Sequence, residues 1–158
     1  MKALHAIFVA ATVGITAVTS PMTAAQGQAG HIIVTPKDLK WADVPSLPPG
    51  AKAAVIEGPV NEAKPFTVRL KFPANYEIPA HTHPVLEHVT VLSGTFNLGM
   101  GDKLNKKQTR ALSSGSTAIM PPGTNHFAWT NKETIVQLHG TGPWDITYVN
   151  PSDDPRKK

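Results

Sequence analysis

The chain has 158 residues, enough for one domain of ordinary size, and an apolar share of 41% that can supply a single core. It contains no cysteine, which excludes a disulfide framework and restricts any metal site to nitrogen and oxygen ligands. Its net charge of +4 arises without basic clusters interleaved with aromatics, which argues against a nucleic-acid binder.

Residues 1–25 have the layout of a secretory signal peptide. Lys2 is followed by an apolar run from Ala3 to Val18, broken only by His5, Thr12, Gly14 and Thr16. A stretch from Thr19 to Ala25 follows, with Thr23 and Ala25 at −3 and −1 of a cleavage site that could also fall as late as residue 29. A single membrane anchor is the competing reading, but the run is short and lacks a basic stop-transfer flank. A secreted or periplasmic protein is expected, with no membrane contact after cleavage. Residues 30–52 form an arm in which Pro36, Pro45, Pro48 and Pro49 surround Trp41. His31, at its start, carries no functional reading.

From residue 53 onward the chain reads in short pieces. Ala53 to Ile56 is a brief apolar run closed by Gly58 and Pro59. Phe66 to Phe72 alternates cleanly, placing Phe66, Val68, Leu70 and Phe72 on one face and Thr67, Arg69 and Lys71 on the other, the period of a half-buried strand. Leu86 to Leu92 and Thr95 to Leu98 flank a tight turn at Gly94. Thr117 to Met120 runs into Pro121, Pro122 and Gly123. His126 to Thr130, Thr134 to His139 and Asp145 to Val149 complete the set. Lys103, Lys106, Lys107 and Arg110 read as a solvated loop, and Arg156, Lys157 and Lys158 as a solvated tail in residues 150–158. Short strands separated by turn signals, with no helical repeat, predict an all-β sandwich or barrel over residues 53–149.

The chemistry concentrates in two stretches. His81 and His83 lie two apart, so a strand aims both rings at one point. Pro84 interrupts the strand, and Glu87 is expected from a neighbouring one. His126 adds a third imidazole from a distant point in sequence. Three imidazoles and one carboxylate suit one divalent transition metal (Mn, Fe, Co, Ni, Cu or Zn) and suit Ca or Mg poorly.

The spacing His-x-His-x3-Glu-x6-Gly at His81, His83, Glu87 and Gly94 resembles the first cupin motif. The spacing Gly-x5-Pro-x-Gly-x2-His at Gly115, Pro121, Gly123 and His126 resembles the second. Two positions depart from the pattern: Asn75 stands where the first motif opens with glycine, suggesting a differently shaped turn, and Thr130 where the second ends in asparagine. The resemblance implies a double-stranded β-helix, or jelly roll, with a metal inside the barrel held by His81, His83, Glu87 and His126. The chain looks like small exported single-domain cupins, and also resembles the zinc-binding cupin half of certain anti-sigma factors. Members of this superfamily commonly pair through a barrel face, so a homodimer is a further expectation, with the arm from Thr35 to Gly50 as a candidate contact.

The other conspicuous residues have plainer readings. His88 should point away from Glu87, to the surface or into packing. His139 ends an apolar run and is more often structural, but is the one candidate acid or base outside the ligand set. Phe127 and Trp129 read as core packing before substrate stacking, and Met120, Phe72 and Phe96 as core. Trp144 reads as a packing residue in a turn, and Tyr76 and Glu77 as a gate or a plain loop. The expected function is that of a metal-dependent small-molecule enzyme, dioxygenase-like or another oxidoreductase. The alternative is a non-catalytic ligand-binding or sensory cupin with a structural metal.

Overall fold

The computed structural model describes residues 30–158; the expected signal peptide and its cleavage site lie outside the described residues. Ile32–Lys158 form one compact unit. Eleven strands follow in order: β1 (Ala42–Asp43), β2 (Lys52–Glu57), β3 (Pro65–Phe72), β4 (Glu77–Thr82), β5 (Glu87–Ser93), β6 (Thr95–Met100), β7 (Arg110–Ser113), β8 (Thr117–Met120), β9 (His126–Trp129), β10 (Thr134–Thr141) and β11 (Thr147–Tyr148). They form a six-stranded sheet in the order β1-β2-β3-β10-β5-β8 and a five-stranded sheet in the order β11-β4-β9-β6-β7. All the pairings are antiparallel, and the two inner faces enclose one core: a jelly roll.

Alternation builds the core. In β3 the residues Phe66, Val68, Leu70 and Phe72 are buried while those between them are only partly covered. Val136 and Leu138 of β10 lie opposite Leu70 and Val68, and Val91 and Val89 of β5 continue the same two rows. Phe72 stacks with both Tyr76 and Phe96, at ring-centroid distances of 5.3 and 5.8 Å. Each such side chain taken fully out of water contributes on the order of 1.5–3 kcal/mol, which makes these rows the main cohesion of the barrel.

The turns around this core bear on two expectations. Asn75 sits at φ 58, the left-handed region that glycine favours and asparagine tolerates, so its side chain leaves a left-handed turn in place. Thr130 is buried, and its hydroxyl donates to the Pro73 carbonyl at 2.7 Å and accepts from the Tyr76 amide at 3.4 Å. This threonine therefore staples the turn that leads into β4.

Several segments differ from the sequence expectations. The arm joins the sheet: Ala42 and Asp43 pair with Ala53 and Lys52, and Leu47 enters the core. The basic stretch is not simply a loop, because Arg110 opens β7 and Lys106 both pairs with Glu77 at 2.6 Å and lies 5.2 Å from the centre of the Trp129 ring. Phe127 and Trp129 alternate with the inward His126 and Ala128; Phe127 is buried against Gly99 on the other side of β9. Tyr76 is a core residue whose hydroxyl donates to the Pro48 carbonyl. Arg156 is held by Asp154 and Asp145, so the tail folds back onto the barrel, while Arg156, Lys157 and Lys158 stay exposed as expected.

Candidate metal centre

An irregularity in β4 aims the first two histidines. Ile78 pairs with Ala128 and His81 with His126, so three steps along β4 match two along β9. This bulge inserts one residue, and inward facing passes from Ile78 to His81 and His83 instead of to Thr82. His83 lies just past the end of β4, where its carbonyl accepts from the Gly123 amide at 2.9 Å. The turn between β8 and β9 thereby ties the two histidine stretches together. Glu87 opens β5, which belongs to the six-stranded sheet. The carboxylate therefore comes from the sheet facing the histidines rather than from a strand paired with β4.

The four side chains line one cavity in the barrel interior, with the three histidines clustered and Glu87 beside two of them. His81, His83 and Glu87 are 4% exposed and His126 is 3% exposed. One nitrogen from each histidine can be chosen so that the three lie within 4.8 Å of one another. The nearer Glu87 oxygen, Oε2, is 3.4 Å from His83 Nε2 and 3.5 Å from His126 Nε2.

Backbone carbonyls fix the tautomer of each ring. His81 Nδ1 is 2.7 Å from the Pro79 carbonyl, His83 Nδ1 2.6 Å from that of Asp145, and His126 Nδ1 2.9 Å from that of Thr124. A carbonyl can only accept, so each Nδ1 carries the proton and donates it, leaving Nε2 with a free lone pair. Burial holds the His81 imidazole well below the usual histidine range, helped by the neighbouring His126 and His83. Burial also lowers His83, although Glu87 and the Asp145 carbonyl pull the other way. Both rings are therefore neutral near pH 7, the form that ligates a metal.

The donor set fits a divalent transition metal on chemical grounds. Three imidazole lone pairs and a carboxylate suit borderline ions. The cavity they line, of about 30 Å³, includes no lysine or arginine. A buried carboxylate without such a partner is costly, and a divalent cation at this point would offset that cost. The rest of the lining is apolar, with Leu70, Phe96, Leu138 and Ile146 among its walls. Leu47 of the arm and Trp144 also line it, and the Trp144 ring lies 4.7 Å from that of His83 at an interplanar angle of 21°. A space of this size has room for one or two water-sized groups.

Two further histidines of the barrel lie elsewhere. His88 and His139 are opposite each other on β5 and β10 and stack at 4.6 Å with a 9° angle between rings. They alternate with the inward Val89 and Leu138, and neither lines the cavity. Sequence reasoning missed the Asp145 carbonyl, Trp144 and Leu47. None carries a local signal, because each reaches the site from far along the chain.

Comparison with known proteins places this arrangement. The family model described as the ChrR cupin-like domain matches residues 29–145. Germin-like protein 5-1 of Oryza sativa subsp. japonica is 40% identical over 57 residues, covering 35% of this chain and 26% of that protein. The chain spans 26% and 38% of the lengths of the two rice germin-like relatives it matches. Among solved structures, the polyketide cyclase RemF from Streptomyces resistomycificus aligns over 79% of this chain and 89% of its own, at 18% identity and a TM-score of 0.64. Rhodobacter sphaeroides SigE in complex with the anti-sigma ChrR aligns over 68% of this chain and 51% of its own, at 19% identity and a TM-score of 0.51. These structural likenesses show the fold. With the family model spanning most of the described residues and the jelly roll in place, the chain belongs to the ChrR cupin-like family of the cupin superfamily.

Proposed function

We propose that this protein is an exported, metal-dependent cupin that binds one divalent transition metal through His81, His83, Glu87 and His126 and acts on a small oxygenated molecule as an oxidoreductase. The observation that carries this reading is the set of three Nδ1–H···O=C hydrogen bonds, which leaves three clustered imidazoles each with a free Nε2 lone pair, two of them within 3.5 Å of the buried Glu87 carboxylate. Export rests on the Lys2, apolar and small-residue order of residues 1–25. A bound metal would supply Lewis acidity, and electron transfer where it is redox-active. The protein's own residues hold the ligand geometry, exclude water through the apolar walls, and restrict the space beside the centre.

The small volume beside the centre favours a second reading, in which the metal is structural or captures a small ligand without turnover. Elemental analysis of protein purified from its native compartment, with His81→Ala as control, separates the two. Near-stoichiometric iron or manganese, lost in the variant, supports redox chemistry and an oxygen-consumption screen on small acids, diketones and phenols. Stoichiometric zinc supports the second reading. Absence of metal from both proteins overturns metal binding altogether.

A further inference from the structure

The Asp145–Ile146 peptide touches the centre on one side and an arginine on the other. Its Asp145 carbonyl accepts from His83 Nδ1 at 2.6 Å, and its neighbours Trp144 and Ile146 line the cavity. On the far side, Arg156 Nη1 donates to Asp145 Oδ1 at 3.1 Å and Nη2 donates to the Ile146 carbonyl at 2.9 Å. Asp145 Oδ1 also accepts from the Ile146 amide at 2.8 Å, closing a small ring of bonds around the peptide. Arg156 is itself anchored: its Nε donates to Asp154 Oδ1 at 2.8 Å and its Nη2 to Asp154 Oδ2 at 3.0 Å. Asp154 is 6% exposed, so this bidentate anchor is partly withdrawn from water.

We infer that residues 150–158 are a working part of the centre, with Arg156, through the Asp145–Ile146 peptide, a positioning residue for His83. His83 needs such help more than the other two rings. His81 and His126 each bond a carbonyl two residues away, whereas the partner of His83 lies 62 residues on. No strand pairing holds that carbonyl in place, because β11 begins only at Thr147. A planar guanidinium that bonds a carboxylate and a carbonyl of adjacent residues fixes a peptide's orientation, which a single contact cannot do. Losing the orientation of a ligand's hydrogen-bond partner typically costs about 10- to 100-fold in metal affinity. This inference rests on the metal-binding reading above.

Arg156→Ala, Asp145→Ala and the double variant test it in the full chain, with Co(II) as the probe. Asp145→Ala keeps the backbone carbonyl, and its side chain is 64% exposed, so folding is expected to survive. Each single variant is expected to weaken Co(II) binding about tenfold and to alter the Co(II) absorption spectrum. The double variant should be no worse than either single, since both break one linkage. In the metal-free protein, the His83 Nδ1–H resonance should exchange faster with solvent in each variant, whereas those of His81 and His126 should not. Should Arg156→Ala fail to fold, Asp145→Ala decides alone. Folded variants with wild-type Co(II) affinity and unchanged His83 exchange overturn the positioning role. If the wild type binds no Co(II) while the exchange of His83 still responds to the variants, Arg156 positions His83 and the metal reading fails instead.

Discussion

At the scale of single residues, Glu87 is the one whose placement makes least sense without a cation. It is 4% exposed, and the nitrogens facing it belong to histidines, of which His83 is held neutral by burial. A carboxylate in such surroundings destabilises the fold it belongs to, a pattern common where a site is shaped for binding. Glu87→Gln keeps the shape and removes the charge. The metal-free variant should therefore be at least as stable as wild type, by about 1 kcal/mol, or about 3 °C in Tm. Its metal affinity should fall at the same time. Thermal melts of metal-free protein, paired with a Co(II) titration, check both signs. A variant that melts well below the metal-free wild type would mean that Glu87 is a structural group. The convergence of these buried side chains was legible because its information is local: His-x-His, a glutamate four residues on, and a histidine after a Pro-x-Gly turn. The carbonyls that orient the rings were not, since a hydrogen bond across 62 residues leaves no trace in spacing.

At the scale of elements, the glycine that ends the first motif has a role separate from the metal. Gly94 turns β5 into β6 at φ 84, and a Cβ there would collide with Thr134 Oγ1 and the Glu133 carbonyl. Thr134 Oγ1 is occupied, accepting from the Thr95 amide at 3.2 Å and lying 3.1 Å from the Thr95 carbonyl, so it cannot move freely. Gly94→Ala should lose about 2 kcal/mol or more in urea denaturation, from backbone strain and overpacking together. Yet Gly94 is seven residues along the strand from Glu87, about 23 Å at strand rise. Folded Gly94→Ala should therefore bind Co(II) as wild type does; a weakened site in a stable variant would tie this turn to the metal instead. Elements with clean alternation, such as Phe66 to Phe72, were readable because period two leaves one interpretation. The β4 bulge was not, since an extra residue between Ile78 and His81 shows only against the register of β9. The basic stretch was half legible: Lys106 and Arg110 are exposed, as charge predicts, but β7 pairs along β6 through its backbone whatever its side chains carry.

At the scale of the whole molecule, burying the histidines couples folding to both pH and metal. His81 and His83 have folded pKa values below the ordinary 6.5. Between that value and their folded values, the unfolded chain binds protons that the folded protein refuses. Stability is therefore fully present above about pH 6.5 and lost as the pH falls below it, at up to about 1.4 kcal/mol per pH unit for each histidine. The carboxylates of Asp38 and Asp154, held below 3.8 by their hydrogen bonds, act in a separate and more acidic window. The Tm of metal-free protein should be flat from about pH 8 to pH 7 and decline from about pH 6.5 downward. Metal changes the shape of this curve, because ligation holds the imidazoles deprotonated and stabilises only the folded state. Metal-loaded protein should hold its Tm to lower pH, then lose metal and stability together over a narrower interval. Adding chelator at pH 7 should return it to the metal-free curve. Differential scanning calorimetry at half-unit pH steps, with released metal measured alongside, tests the coupling. A metal-free Tm that does not change between pH 7.5 and 5.5 would show that the two rings take up protons in the folded barrel, and that they are not the closed, neutral ligands described above.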